Sequence, residues 1–146
     1  MVDVVDPHTR SRMMGAIRGK DTAPELLVRR ALHRMGLRFR LGGCGLPGRP
    51  DIVLPRHRAV VFVHGCFWHR HQGCARCTTP ATNSDFWQRK FARNIERDGE
   101  VQRLLVIRGW RVFVVWECEL ADERGLIDLF WLIRAGTPGT PSAACD

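Results

Sequence analysis

Arg49-Pro50-Asp51-Ile52-Val53-Leu54, Pro55-Arg56-His57-Arg58 and Ala59-Val60-Val61-Phe62-Val63-His64 run consecutively, and how they pair decides the fold. Residues 51–54 and 59–64 are rich in β-branched side chains and flank a polar, Pro-bearing turn, so they read as the two strands of a hairpin. Folding back at that turn brings Asp51 near the end of the second strand, where His64 lies.

Upstream, Thr22-Ala-Pro-Glu25 has the spacing of a capping box with Pro in the first turn. Leu26, Leu27, Ala31, Leu32 and Met35 then form an apolar stripe that stops at Gly36, which predicts a helix over 23–35. Downstream, residues 65–83 carry Gly, Pro, Thr, Cys and His with neither period, and so predict an irregular loop. Phe86, Trp87, Phe91, Ile95, Val101, Leu104 and Leu105 repeat at a helical period over 85–108, with Gly99 as a weak point and Gly109 as the stop. Residues 110–116 are apolar except for Arg111, as expected of a central strand buried on both faces. A closing helix follows over 123–134, and Trp110, Trp116 and Trp131 are expected in the core.

The order helix, hairpin, long helix, strand, helix predicts an α/β fold with a mixed central sheet flanked by helices. Residues 21–134 suffice for a single domain. The stretch 1–20, with Pro7, Gly15, Gly19 and scattered Arg, is expected to be an extended basic arm, and 135–146 a disordered tail.

The formal charge is +8, and residues 8–40 hold nine Arg or Lys against only Asp21 and Glu25. Such a segment suits nucleic-acid phosphates, with Arg10, Arg12, Arg18 and Lys20 of the arm as the phosphate-binding candidates. The longest apolar runs, Ala59–Val63 and Val112–Trp116, fall far short of the roughly 20 residues that cross a bilayer. The expectation is an unexported, cytoplasmic monomer with no membrane partner.

Cys66-x4-His71-x2-Cys74-x2-Cys77, with His69 inside and Cys118 later, offers more soft donors than a tetrahedral Zn²⁺ needs. Cys66 follows one predicted strand by two residues and Cys118 follows another by two, so an ion held by both would tie neighbouring strand ends. On that geometry the expected ligands are Cys66, His71, Cys74 and Cys118, with Cys77 in place of Cys118 as the alternative. A closed four-ligand set makes this zinc structural, so the chemistry must lie elsewhere.

Arg49-Pro50-Asp51 ahead of a hairpin is similar to the Pro-Asp…(Asp/Glu)-x-Lys layout of restriction-endonuclease-like nucleases, but Phe62 and His64 stand where the acid and the Lys belong. The full set of motifs is Met14-x3-Arg18-Gly-Lys-Asp-Thr22-x2-Glu25, Gly48-Arg-Pro-Asp51, Val63-His-Gly-Cys-Phe-Trp-His69, Asn83-x2-Phe-Trp87, Asn94-x3-Asp98 and Gly109-Trp-Arg-Val…Val115-Trp-Glu-Cys118. In these the chain resembles the very short patch repair (Vsr) DNA mismatch endonucleases, over about residues 8–133.

That resemblance implies a restriction-endonuclease-like fold, Mg²⁺ as catalytic cofactor, and a nick 5′ of the thymine in a T:G mismatch of double-stranded DNA. One or two Mg²⁺ ions, and repair proteins as further partners, remain open. Asp51 is then the principal Mg²⁺ ligand with the Val63 carbonyl as a second hard oxygen. His64 and His69 become the acid–base pair, in either order, since an unperturbed imidazole titrates at about 6.5. Read without the resemblance, His64 is a packed strand residue and His69 a spare zinc ligand. The resemblance also implies a site carboxylate at Glu25 and a histidine-supporting one at Asp98. Phe67, Trp68 and Trp87 become wedges that unstack a deformable wobble step, with Met14 reaching in from the opposite groove. Two rivals stand beside this reading: a nuclease of the same fold acting on other DNA, and a non-catalytic zinc module that binds DNA through its basic arm.

Overall fold

Thr22 Oγ1 accepts the Glu25 N–H at 3.4 Å, and Glu25 Oε2 accepts the Asp21 N–H at 3.0 Å. The box predicted from the sequence thus closes one residue early, and it starts helix α1, Ala23–Arg34. In this computed structural model, which describes residues 21–135, α1 ends in a Schellman turn. Gly36 takes φ +100°, its N–H reaches the His33 carbonyl, and the Leu37 N–H reaches that of Leu32. Val28, Ala31 and Leu32 are the buried apolar positions, whereas Leu27 is 44% exposed, so the stripe lies about one residue off the expected one.

Strand β1, Ile52–Leu54, pairs antiparallel with β2, Ala59–His64, in the register Ile52↔Val61, Val53↔Val60, Leu54↔Ala59. A 3₁₀ turn over Pro55–His57 joins them and closes at Arg58 with φ +49°. Helix α2, Ser84–Ile107, carries the chain across to β3, Arg111–Trp116, which pairs with β2 in parallel from Ala59↔Arg111 to His64↔Trp116. Parallel neighbours need a crossover of this kind, because a tight turn can only reverse the chain. Gly99 does not interrupt α2. Helix α3, Glu123–Ala135, closes the described chain.

The sheet order is β1-β2-β3, with an isolated bridge from Arg40 to Val53 on the outer side of β1. This gives the mixed α/β architecture, with one correction. The central strand, buried along almost its whole length, is β2, whereas β3 is an edge strand of mostly half-buried residues. The apolar run at 112–116 arises because β3 packs on both faces of the sheet, while its outer edge carries no strand among the described residues. The charge that breaks the run, Arg111, donates from its guanidinium to the carbonyls of His57, Leu132 and Ile133, tying α3 to the hairpin turn.

Two apolar layers follow from the period-2 alternation of β2. Ala59 and Val61, with Ile52 and Leu54, pack under α1 and α3; Val60 and Phe62, with Val53, pack with Leu105 and Trp110 near the end of α2. Trp110 is buried as expected and Trp116 is half-buried, but Trp131 is 59% exposed. In α3 the inward stripe is Leu126, Leu129, Phe130 and Ile133, and Trp131 sits one residue, or about 100°, round from Phe130. Phe86, Ile95 and Leu104 of α2 are likewise exposed, since only Phe91 and Leu105 of that helix are buried. The predicted arm over 1–20 and most of the predicted tail lie outside the described residues.

Leu32→Ala, at a fully buried site, is expected to lower the unfolding free energy by about 2–5 kcal/mol. Trp131→Ala should change it by less than about 0.5 kcal/mol despite removing a larger side chain. Urea titrations of the two variants check the pair.

Candidate active site and metal centre

Antiparallel pairing ends at Ile52, so the chain no longer offers β2 a backbone partner beyond that point. The Asp51 side chain takes the place of that partner: its Oδ2 accepts the Val63 N–H at 2.7 Å. Asp51 shares a cleft of about 460 Å³ with Glu25, His64, His69, Asp98, Arg49 and Arg97. Burial pushes its carboxyl up to about 6 from an ordinary 3.8, against the pull of the Val63 N–H; neighbouring Glu25 adds to the rise. Glu25 is itself buried and bound at Oε2 by Arg29 at 3.1 Å, while the other branch of that guanidinium holds Asp21. A half-buried, partly destabilised carboxylate in one cleft with a second acid offers oxygen donors of the kind a hard divalent cation takes.

His64 ends β2 on the side facing α2, and His69 follows on the loop, its backbone N–H bonded to the Gly65 carbonyl. The two rings stack with centroids 3.8 Å apart and planes 5° from parallel. Burial lowers the His64 pKa to about 4, with His69 contributing in the same direction, so His64 is a neutral imidazole at pH 7. His69 Nδ1 lies 2.6 Å from Asp98 Oδ2 on α2. A carboxylate can only accept, which makes Nδ1 the donor and leaves Nε2 facing away from Asp98.

The parallel register His64↔Trp116 sets Cys66 and Cys118 at the same offset beyond paired strand ends. There the donor atoms of Cys66, His71, Cys74 and Cys118 all lie within 4.8 Å of one another, with Cys118 Sγ 3.3 Å from His71 Nδ1. Cys77 stands outside this group; its N–H donates to the Cys74 carbonyl. Burial raises the Cys66 thiol to about 12, whereas the Arg76 N–H draws Cys74 down to about 7. Three sulfurs and one imidazole so gathered fit a tetrahedral soft cation, which would supply the charge that a buried thiolate lacks. Trp116 connects the two centres. Its ring lies flat on His71 at 4.3 Å and edge-on to His64 at 5.2 Å.

Phe67, Trp68 and Trp87 are half-buried, and with Phe86 and Phe91 they form a cluster of mostly edge-to-face rings. They are therefore neither deep core nor isolated on the surface. Phe67 and Trp68 line a second cleft, of about 490 Å³, together with Lys90, Asn94 and Arg97, and this cleft shares Glu25, Val63 and His69 with the first or its rim. Met14, Arg10, Arg12, Arg18 and Lys20 fall outside the described residues.

The model of the DNA mismatch endonuclease Vsr family matches residues 2–76, half of the chain. The chain belongs to that family. Among Vsr-type relatives, it is 48% identical over 122 residues to the type II nicking enzyme V.XorIIP of Xanthomonas oryzae pv. oryzae, covering 84% of this chain and 89% of that one. It is 46% identical over 129 residues to the DNA mismatch endonuclease Vsr of Escherichia coli, covering 88% and 81% respectively. The type II nicking enzyme V.NmeAIP of Neisseria meningitidis is 43% identical over 123 residues, with 84% and 87% covered. This protein is thus a DNA mismatch endonuclease, a hydrolase that cleaves DNA. No described helix is long and apolar enough to cross a membrane.

Sequence reasoning missed Arg49, Arg97 and Glu117. Arg49 and Arg97 line the Asp51 cleft, and Glu117 Oε1 receives the Cys66 N–H at 3.1 Å. Arg49 and Glu117 stand inside the motifs Gly48-Arg-Pro-Asp51 and Val115-Trp-Glu-Cys118 without a role assigned to them, whereas Arg97 is one of 21 arginines and only the i, i+3, i+4 face Asn94, Arg97, Asp98 hints at its place.

Because the folded Asp51 carboxyl titrates at about 6 rather than 3.8, its neutral form stabilises the fold at low pH, and that contribution is lost as pH rises through about 6. Asp51→Asn stays neutral and keeps an acceptor for Val63. Without added Mg²⁺ it should be more stable than the parent at about pH 8, by ~2–3 kcal/mol, and nearly equal to it at about pH 4. Urea unfolding at both pH values checks this.

Proposed function

We propose that this Vsr-family endonuclease nicks DNA 5′ of the thymine in a T:G mismatch, the opening step of very short patch repair, by Mg²⁺-dependent hydrolysis on a restriction-endonuclease-like fold. The observation that carries the reading is the single cleft in which the Asp51 carboxylate, the Glu25 carboxylate and the stacked His64 and His69 rings meet. Asp51 and the Val63 carbonyl are the oxygens to hold Mg²⁺, with Glu25 supporting through water. The cation supplies positive charge against the scissile phosphate.

The chain's own groups do the rest. His69, its Nδ1 held by Asp98, moves the proton at Nε2, because the carboxylate fixes the orientation and tautomer of the ring. His64, neutral through burial, gives a hydrogen bond to a phosphate oxygen without bringing a second full charge beside His69. Cys66, His71, Cys74 and Cys118 hold a structural Zn²⁺, since four such ligands leave no open position for substrate. That ion fixes the loop bearing Phe67, Trp68 and His69 and, through Trp116, one wall behind His64.

The half-exposed rings of Phe67, Trp68 and Trp87, joined by Met14 from the arm, enter the mismatched step, where a wobble pair resists unstacking less than a matched one. Arg10, Arg12, Arg18 and Lys20 hold backbone phosphates. Family membership removes the non-catalytic rival, and the choice of substrate distinguishes the remaining one.

With Mg²⁺ present, a T:G duplex should be nicked on the thymine strand while the matched T:A duplex stays whole. Asp51→Ala should lower the rate by ~10²-fold or more. Equal cutting of both duplexes, or an undiminished Asp51→Ala rate in a folded protein, refutes the reading. Zinc assay separates the ligand sets independently: Cys118→Ala should lose the bound metal, and Cys77→Ala should retain it.

A further inference from the structure

Asn94, Arg97 and Asp98 occupy one face of α2 at i, i+3 and i+4, and two of them are already engaged by the loop across from them. Asn94 Nδ2 donates to the Trp68 carbonyl at 3.0 Å, and Asp98 binds the His69 ring at 2.6 Å. One helical turn therefore grips the base of the aromatic shelf and the proposed proton carrier together. Arg97 lies between these grips. It lines both the cleft of Trp68 and the cleft of Asp51.

Its chemistry there is unspent. Arg97 is exposed, and its hydrogen bond is a long one, Nη2 to Asn94 Oδ1 at 3.3 Å. Among the described residues it has no ion pair. The acids around it are committed elsewhere, Asp98 to His69 and Glu25 to Arg29 and the Asp21 N–H. A guanidinium without a counter-ion, on the ridge between two clefts, offers a flat fork of N–H donors whose matching ligand is a phosphate carrying two free oxygens.

We infer that Arg97 binds a backbone phosphate of the cut strand next to the scissile one, and so holds ring insertion and cleavage in register. This rests on the proposed function, because it takes the two clefts as one strand's path. Arg97 is a positioning residue: it touches the strand but no reacting atom. Losing it should leave the fold and zinc intact while loosening the alignment of the phosphodiester with Asp51.

Two measurements test it. In binding to the T:G duplex without Mg²⁺, the slope of log affinity against log salt should fall by about one for Arg97→Gln and recover for Arg97→Lys. It should be unchanged for Arg124→Gln, on the opposite face of the sheet. Neutral methylphosphonate linkages are then walked along the cut strand under cleavage conditions. At one linkage beside the cut the parent should lose about tenfold in kcat/KM, while Arg97→Gln, already lowered by a similar factor, should lose nothing more. An unchanged salt slope, or losses that multiply at every linkage, overturns the assignment. Failure of the parent to nick the T:G duplex would refute the proposed function instead, and the binding slopes would still decide whether Arg97 meets a phosphate.

Discussion

The parallel pairing of β2 with β3, in the register His64↔Trp116, is the constraint on which the rest depends. It brings Cys66 and Cys118 together beyond the two strand ends, and it puts the Trp116 ring between His71 and His64. Because the strands are parallel, the chain must cross over between them, and the crossover is α2. That helix carries Asn94, Arg97 and Asp98 to the loop that bears Trp68 and His69. A slip of one residue in this pairing would turn His64 to the other face of the sheet and separate the two cysteines.

A division of labour follows between the two clusters of ligating side chains. The sulfur-rich one gathers donors from the loop and from both strand ends, so an ion there would stand in for the apolar packing that residues 65–83 lack. The oxygen-rich one is built on the hairpin, where Asp51 takes up a backbone N–H that β1 no longer reaches. In the proposed reading the soft donors would serve order and the hard donors chemistry, with the histidine pair between them. The same strand end feeds both, through His64 to the cleft and Cys66 to the sulfur-rich cluster.

Departures from expectation share a cause. Local period places Leu27, Phe86 and Ile95 on apolar faces, yet each is exposed. Helix α2 buries little of its length, since its first half lies over a loop and aromatic rings rather than over the sheet. A stripe read from sequence reports that a face is apolar but not how far a neighbour extends beneath it.

What the sequence determined by itself is what short-range physics controls. The capped start and Schellman end of α1, the hairpin with Asp51 beside the end of β2, the helical span of α2 and the soft-donor loop all follow from residues within a few positions of one another. Tertiary structure alone decided that β2 and not β3 is central and that Arg97 lies between two clefts; it also brought Cys118 rather than the alternative Cys77 into the donor group and set Asp98 against His69, which the sequence offered only as expectations. Each of these joins residues far apart in the chain. Periodicity and turn chemistry carry no information on such pairings, which are fixed only when the crossover closes and the sheet is buried on both faces.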